Sequence, residues 1–291
     1  MGGALTAVEG SGASAFFNPA GTARLGSFGT AFFGYTGWIA DIKHMFGAVS
    51  ISPEGGAYGT LSFMAQVVDY GEFEQTIFSL TSGYIELEPF HPKGTALGVG
   101  YSRALSEKFA IGGNVKYVSQ NLGEAVINYD ETASSITQKA SNKAGVVAFD
   151  FGLMYRTGFK SLTFGMCIRN FSKEARFVDE GFQLPLTFRM GLSMNILDLT
   201  DLDPETHALL LVVDAEHPRD YAEQLKVGGE YLFMKTLALR AGYVFPADEH
   251  GLSLGGGVRT SLAGVTGAFD YSYTPFGIFG SVHRFGVQFT M

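Results

Sequence analysis

Six histidines, one cysteine and a triple glycine are the residues of this chain whose types could support catalysis or ligation. His44, His91, His207, His217, His250 and His283 are scattered, and no two stand at the i, i+4 spacing of a HExxH zinc site. Most fall at the ends of the segments described below, where an imidazole is expected to be solvated or hydrogen-bonded. Cys167 alternates with Met166 and Ile168 and is expected to point inward as a small inert side chain. A single thiol also excludes an internal disulfide framework and a cysteine-rich metal site. Gly255-Gly256-Gly257 lacks the Gly-Lys-Ser/Thr ending and the following helix of a phosphate loop, so it reads as relief of crowding in a strand. The G-x-S-x-G nucleophile elbow is missing. Neither a metal nor a cofactor is expected, and no enzyme activity.

Two other groups point to binding. The segment Asp69–Lys93 carries Tyr70, Phe73, Phe78, Tyr84 and Phe90 in a polar setting. Aromatic rings facing water are costly unless they cover a core or meet a partner. This loop is therefore expected to pack over a barrel mouth, capture a hydrophobic small molecule, or dock a protein. The second group is a set of isolated charges within apolar surroundings: Lys116, Asp150, Arg169, Arg189, Arg240, Arg259, Asp270 and Arg284.

The elements that hold these residues follow from composition. Of 291 residues, 46% are hydrophobic and 14% aromatic, but only 16% are charged. A soluble domain carries about 25% charged residues, so this surface is too poor in charge for ordinary exposure to water. Disorder is excluded on the same figures. A net charge of -8 excludes nucleic acid as the main partner, since phosphate recognition needs clustered Lys and Arg. The remaining partner is a lipid bilayer. A spanning helix needs about 20 consecutive apolar residues. The most apolar stretch, His207–Val213, is closed off by Glu205 and Asp214. The alternative that satisfies every backbone group in lipid is a closed β-barrel.

Its alternation is readable. From Pro185 to Ile196, Leu186, Phe188, Met190, Leu192, Met194 and Ile196 share one face, opposite Thr187, Arg189, Gly191, Ser193 and Asn195. The stretches 109–118, 145–156, 265–274 and 284–291 repeat the pattern. Their polar faces are small and glycine-rich with single charges, which suits a crowded barrel interior better than the solvent face of a sandwich. Strands are predicted near 27–37, 43–52, 56–68, 94–105, 109–120, 144–157, 161–171, 185–196, 207–216, 223–233, 236–245, 251–261, 265–275 and 283–291. That is an even count of fourteen. Connections alternate between long and polar (Asp69–Lys93, Asn121–Lys143, Ser172–Leu184) and tight, as periplasmic turns and extracellular loops do. Leu197–Thr206 is the long exception on the short side and predicts a brief helical turn. The fold class is therefore all-β: a closed antiparallel transmembrane barrel of about 14 strands, residues 26–291, with residues 1–25 a separate segment.

Residues 1–25 lack alternation and read as a terminus or a plug tucked into the lumen. Export requires a leader, and none is visible, so one is expected to have been removed or omitted. Asn18-Pro19 sets a rigid corner. Asn18 is expected to bond inward groups such as Arg284 or Arg259. Gly29, Gly34 and Gly37, with Gly55, Gly56 and Gly59, predict a weak wall and any lateral opening among the first three strands.

Gly2–Gly21 (GGALTAVEGSGASAFFNPAG), Leu184–Leu192 (LPLTFRMGL), Leu237–Tyr243 (LALRAGY) and Asp270–Phe289 resemble, in order and over essentially the whole chain, outer-membrane proteins of the PorV/PorQ family. That family is a branch of the FadL-like superfamily of long-chain fatty-acid transporters with fourteen-stranded barrels. The resemblance implies that Asn18, Pro19, Ala20 and Gly21 belong to a luminal hatch. It places the protein in the outer membrane of a Gram-negative-type bacterium. It also implies a role in type IX secretion, with exported cargo proteins or the translocon as partners. The wider superfamily implies passive transport of hydrophobic molecules, fatty acids or hydrocarbons, with lateral exit; a structural scaffold is the third reading. Family members usually carry residues before this Gly-Gly, and outer-membrane barrels commonly end in an aromatic where this chain ends Phe289-Thr290-Met291.

Overall fold

A computed structural model of the chain describes residues 1–79, 82–130, 135–177, 180–247 and 251–291. The strands are β1 (Gly29–Gly37), β2 (Lys43–Ile51), β3 (Thr60–Asp69), β4 (Phe73–Ser79), β5 (Gly83–Phe90), β6 (Lys93–Ala104), β7 (Phe109–Asp130), β8 (Ser135–Arg156) and β9 (Thr163–Ser172). They continue as β10 (Ala175–Phe177), β11 (Glu180–Phe182), β12 (Thr187–Asn195), β13 (His207–Pro218), β14 (Gln224–Phe233) and β15 (Leu237–Phe245). The last are β16 (Leu252–Leu262), β17 (Val265–Pro275) and β18 (Ser281–Thr290). Fourteen of them close one antiparallel barrel, while β4–β5 and β10–β11 form two small hairpins outside the ring. No helix among the described residues is long and apolar enough to cross a membrane. The strands cross instead, and closure of β18 onto β1 leaves no unpaired edge for lipid to meet.

Side-chain period two decides which residue meets lipid. On β8, Val147, Phe149, Phe151 and Tyr155 are exposed on the outer face, while Ala148, Asp150 and Met154 are buried inside. On β12, Met190 and Leu192 face out while Thr187 and Ser193 are buried. A water-soluble protein could not carry so continuous an apolar exterior. Tight connections such as Met234–Thr236 sit at one end of the barrel. The start of β1 and the C-terminus meet there too: the Gly29 and Met291 N–H groups each donate to the other's carbonyl, at 3.2 and 2.9 Å.

Three connections expected as loops are built differently. Asp69–Lys93 contains the β4–β5 hairpin, and Ser172–Leu184 holds the β10–β11 hairpin. β7 and β8 go on pairing beyond Asn121 and Lys143 as far as Asp130 and Ser135, with three register shifts, and each strand is 22 residues long, about twice what a tilted crossing needs. Outside lipid a strand needs no apolar face, so the polar composition read as loop is compatible with ladder pairing. β3 starts later than expected because Pro53–Gly56 turns the chain with Glu54 and Gly55 at positive φ. Leu197–Thr206 begins with the short turn Ile196–Leu199, whose Leu197 N–H is capped by the Asn195 side chain.

No opening lies among the first three strands. β1–β2 and β2–β3 each pair through nine consecutive residues, and β3–β6 through ten. Their glycines are accommodated without breaking the ladder; Gly34, for example, lies under the Phe46 ring. The membrane-spanning ladder is interrupted instead between β8 and β9, where Asp150 faces two residues, Arg169 and Asn170, and Asn170 adopts φ +62. At this bulge the Asp150 carboxylate accepts the Asn170 N–H at 2.8 Å, replacing a ladder partner.

Inside the ring lies the N-terminal segment, with one helical turn, α1 (Ser14–Phe17), and a 3-10 turn over Pro19–Thr22. Ala4, Thr6, Ala7, Ala15, Asn18, Ala20 and Thr22 are all buried there.

Candidate functional site: the filled lumen and the hairpin above it

Asn18 is the hub of the N-terminal segment. Because proline follows, its backbone is extended (φ -149, ψ 110), and its side-chain oxygen caps the Pro19–Thr22 turn by accepting the Ala20 N–H at 3.1 Å. Its amide donates to the carbonyls of Thr6 (2.8 Å) and Leu153 (3.2 Å), so one fully buried side chain ties two parts of the segment to β8. These partners are backbone carbonyls, not Arg284 or Arg259. Both guanidiniums are engaged elsewhere and, being donors only, could meet only the Asn18 oxygen, which already accepts the Ala20 N–H.

Further anchors follow around the ring. Asp214 on β13 accepts the N–H groups of Leu5 and Thr6 at 2.8 and 2.9 Å. Ser193 on β12 donates to Ala7 O (2.7 Å), and Asn114 on β7 donates to Ala15 O (3.1 Å). Gln288 on β18 accepts from Gly12 N (3.0 Å), Ser253 on β16 from Gly2 N (3.0 Å). At the short-turn end Glu9 pairs with Arg24 at 2.6 Å and with Arg156. On the β1–β2 side the contact is aromatic: Phe16 meets Phe46 edge-on at 5.6 Å, and Phe46 packs against Phe32.

The wall is cut to receive the segment. A Cβ on Gly112 would lie 2.6 Å from the Ala20 nitrogen, and one on Gly152 would collide with the Asn18 side chain. Directly outside, an apolar groove of about 530 Å³ is lined by Ile111, Gly113, Phe151 and Ile168 among others. At this point only backbone separates the outer groove from Pro19. Gly21 lets the segment fold on itself, since a Cβ there would sit 2.8 Å from Val8 O, and its carbonyl accepts the Gly10 N–H.

The charges on the inner face are arranged in pairs across neighbouring strands. Lys116 bridges to Asp150 at 2.7 Å and to Asn170 at 2.6 Å. Arg189 pairs with Glu216 at 3.0 Å, and Lys226 shares that carboxylate. Arg240 joins Glu230 (2.5 Å) to Asp270 (2.6 Å), and Arg259 reaches Glu230 at 3.1 Å. Arg284 donates to Thr274 at 2.8 Å and lies 5.6 Å above the Trp38 ring. Arg169, opposite Thr187 in the ladder, is half-buried and makes no hydrogen bond or ion pair among the described residues; the Asp150 and Glu216 carboxylates are held by Lys116, Arg189 and Lys226. Opposite charges in a low-dielectric interior cancel locally, so most of the luminal charge is neutralised in pairs, Arg169 and Arg284 having no ion-pair partner among the described residues. Asp214, Glu216 and Glu9 are not marked by the sequence pattern described above, and Ser193 and Gln288 appear in it only as inward polar positions. The inward parity of Asp214 and Glu216 behind Val212 is the signal by which two of them could be found.

Cys167 is buried and its thiol donates to Phe17 O at 3.2 Å. The histidines serve hydrogen bonds: His207 to Tyr231 (2.7 Å), His217 to Glu223 (3.0 Å), His283 to Tyr271 (2.9 Å). His44 meets Trp38 edge-on and His91 lies 3.7 Å from Glu72, while His250 is outside the described residues. Among the described residues no three metal-ligating side chains converge.

Of the aromatic residues in 69–93, Phe73 and Phe90 stack at 5.7 Å at the base of the β4–β5 hairpin. Phe78 and Tyr84 pair across it near the tip and are 78% and 60% exposed. Tyr70 is half-buried, with its hydroxyl end near Gly94. The hairpin leans on the β7 extension, where Gln75 donates to Glu124 O at 3.4 Å and Phe90 covers Gly123.

With this geometry in hand, comparison with known proteins gives two results. The family profile described as "Type IX secretion system membrane protein PorP/SprF" matches residues 77–287, more than two thirds of the chain. The expected type IX connection is met through PorP/SprF, and PorV/PorQ is not the family matched. Among solved structures, the chain is similar to the Pseudomonas putida toluene transporter TodX, with TM-score 0.59 and 12% identity over 99% of this chain and 96% of that one. It is similar to the Ralstonia pickettii toluene transporter TbuX, with TM-score 0.58 and 13% identity over 99% and 97%. A Pseudomonas aeruginosa FadL homologue gives TM-score 0.56 and 12% identity over 99% and 95%. At such identity these likenesses establish a shared barrel architecture. No curated protein sequence matches the chain significantly.

Proposed function

The chain belongs to the PorP/SprF family of type IX secretion membrane proteins, an outer-membrane β-barrel, and from that premise we propose that it is a closed, partner-binding barrel of protein secretion. In this reading residues 1–25 act as a permanent hatch, and secreted cargo or the translocon is met at the long-hairpin end. The observation that carries it is the distribution of anchors. The segment is held by Asn114, Leu153, Ser193, Asp214, Ser253 and Gln288, which lie on six different strands. A hatch that must move to pass solute would have to release polar groups around most of the ring, each leaving a buried donor or acceptor unmatched at about 1–3 kcal/mol.

A second reading, passive transport of hydrophobic molecules, is favoured by the luminal cluster of Phe16, Phe32 and Phe46 and by the architecture shared with toluene transporters. Deleting the gene separates the two. The secretion reading expects type IX cargo to be lost from the cell surface and medium, with toluene and fatty-acid uptake unchanged. Normal secretion with impaired uptake would support the channel, and no change in either would support a scaffold.

A further inference from the structure

The β4–β5 hairpin has two unlike faces. Gln75, Ile77, Ser79, Ile85 and Leu87 are buried or half-buried, whereas Glu74, Thr76, Phe78, Tyr84, Glu86 and Glu88 are exposed. The exposed face thus carries one aromatic pair flanked by three carboxylates, with Glu72 at its base. The sequence has no Lys or Arg between Asp69 and Lys93, and the one hydrogen-bonding contact described between the hairpin's side chains and β7, Gln75 to Glu124 O, leaves these carboxylates free of it. Repulsion among like charges on so small a sheet is a standing cost that folding of the barrel does not require.

We propose that this face is a docking surface for a basic segment of polypeptide, in which Lys or Arg side chains meet Glu74, Glu86 and Glu88 while an apolar or aromatic side chain packs on Phe78 and Tyr84. Large exposed rings serve as the anchor of such an interface, and the surrounding charges select the partner and speed its approach. Charge complementarity decides the occupant. An anionic lipid headgroup or a nucleic acid would bring phosphate against carboxylate, and a second copy of this hairpin would bring carboxylate against carboxylate. The proposal rests on the secretion reading only in taking the basic segment to be part of a secreted protein.

The test uses the full chain in phosphatidylcholine nanodiscs and two labelled twelve-residue peptides, followed by fluorescence anisotropy. One peptide alternates Lys and Thr around a central Trp; the other has Glu in place of Lys. The Lys peptide should bind and the Glu peptide should not. Glu74→Lys, Glu86→Lys and Glu88→Lys together should weaken the Lys peptide by about tenfold or more, and added salt should do the same. Phe78→Ala with Tyr84→Ala should weaken it several-fold, and all variants should retain the gel migration of the folded barrel. Equal binding of both peptides, binding indifferent to charge reversal, or preferential capture of lipopolysaccharide micelles would overturn the proposal. The triple reversal expressed in cells distinguishes it from the secretion reading. Secretion lost on gene deletion but normal with the reversal removes this surface alone, whereas Lys-selective binding with secretion unaffected by deletion removes the secretion reading alone.

Discussion

The carboxylate of Asp214 accepts the backbone N–H of Thr6 at 2.9 Å, joining residues 208 positions apart in sequence. The same oxygen takes the Leu5 N–H at 2.8 Å. One carboxyl group in the wall thereby satisfies two consecutive amides that the segment, lacking any ladder, cannot satisfy itself.

Asp214→Ala should therefore loosen the segment without dissolving the barrel. Loss of these bonds is expected to lower stability by about 1–3 kcal/mol in urea titrations of the folded form. Limited proteolysis should begin to cut within residues 2–15, while Asp214→Asn, which keeps one acceptor, should fall between. A segment as protected in Asp214→Ala as in the parent would remove the anchor from the account.

Asn18 allows an isosteric test. Its amide faces the carbonyls of Thr6 and Leu153, so Asn18→Asp would set a carboxylate against two acceptors in a fully buried site. Asn18→Asp should be more destabilising than Asn18→Ala, which loses about 1–3 kcal/mol of hydrogen bonding but introduces no charge. The reverse order in thermal unfolding would mean that the carbonyl contacts do not hold.

Neighbouring glycines on β7 should respond oppositely. Gly112→Ala places a methyl 2.6 Å from the Ala20 nitrogen, whereas a Cβ on Gly113 meets its nearest neighbour, Asp150 O, at an ordinary 3.4 Å. Gly112→Ala is expected to raise protease access to the N-terminal segment and Gly113→Ala to leave it unchanged. Equal behaviour would contradict close packing of the segment on β7.

Facing toward lipid is tested on β3. Phe63 is 48% exposed on the outer face and Gln66 is half-buried on the inner one. Phe63→Arg should reduce folding into bilayers by about 2–4 kcal/mol if it lies near midplane, and Gln66→Arg by far less. Ser193 is unsuitable as the luminal control, because its hydroxyl holds Ala7.

The barrel was legible in the sequence because lipid imposes one apolar side chain at every second position, as in Met190 and Leu192 around Gly191. Outside the bilayer that constraint lapses, and so the ladder between Asn121 and Lys143 and the β4–β5 hairpin passed for loops. The inner partners were harder for another reason. Asn18 bonds carbonyls, and Asp214 and Gln288 take amides; backbone groups are present at every residue, so side-chain types give no hint of which is used. The Asp150 bulge escaped notice because it depends on Lys116 and Asn170, each from a different strand.

Closure of the lumen by residues 1–25 is the central claim, and ion conductance of planar bilayers measures it most directly. The full chain should be silent, and the chain lacking Gly2–Ala15 should open steady channels while toluene uptake into matched liposomes stays at the lipid background in both. A full chain that conducts, or one that accelerates toluene uptake until Gly2–Ala15 is removed, would contradict the account.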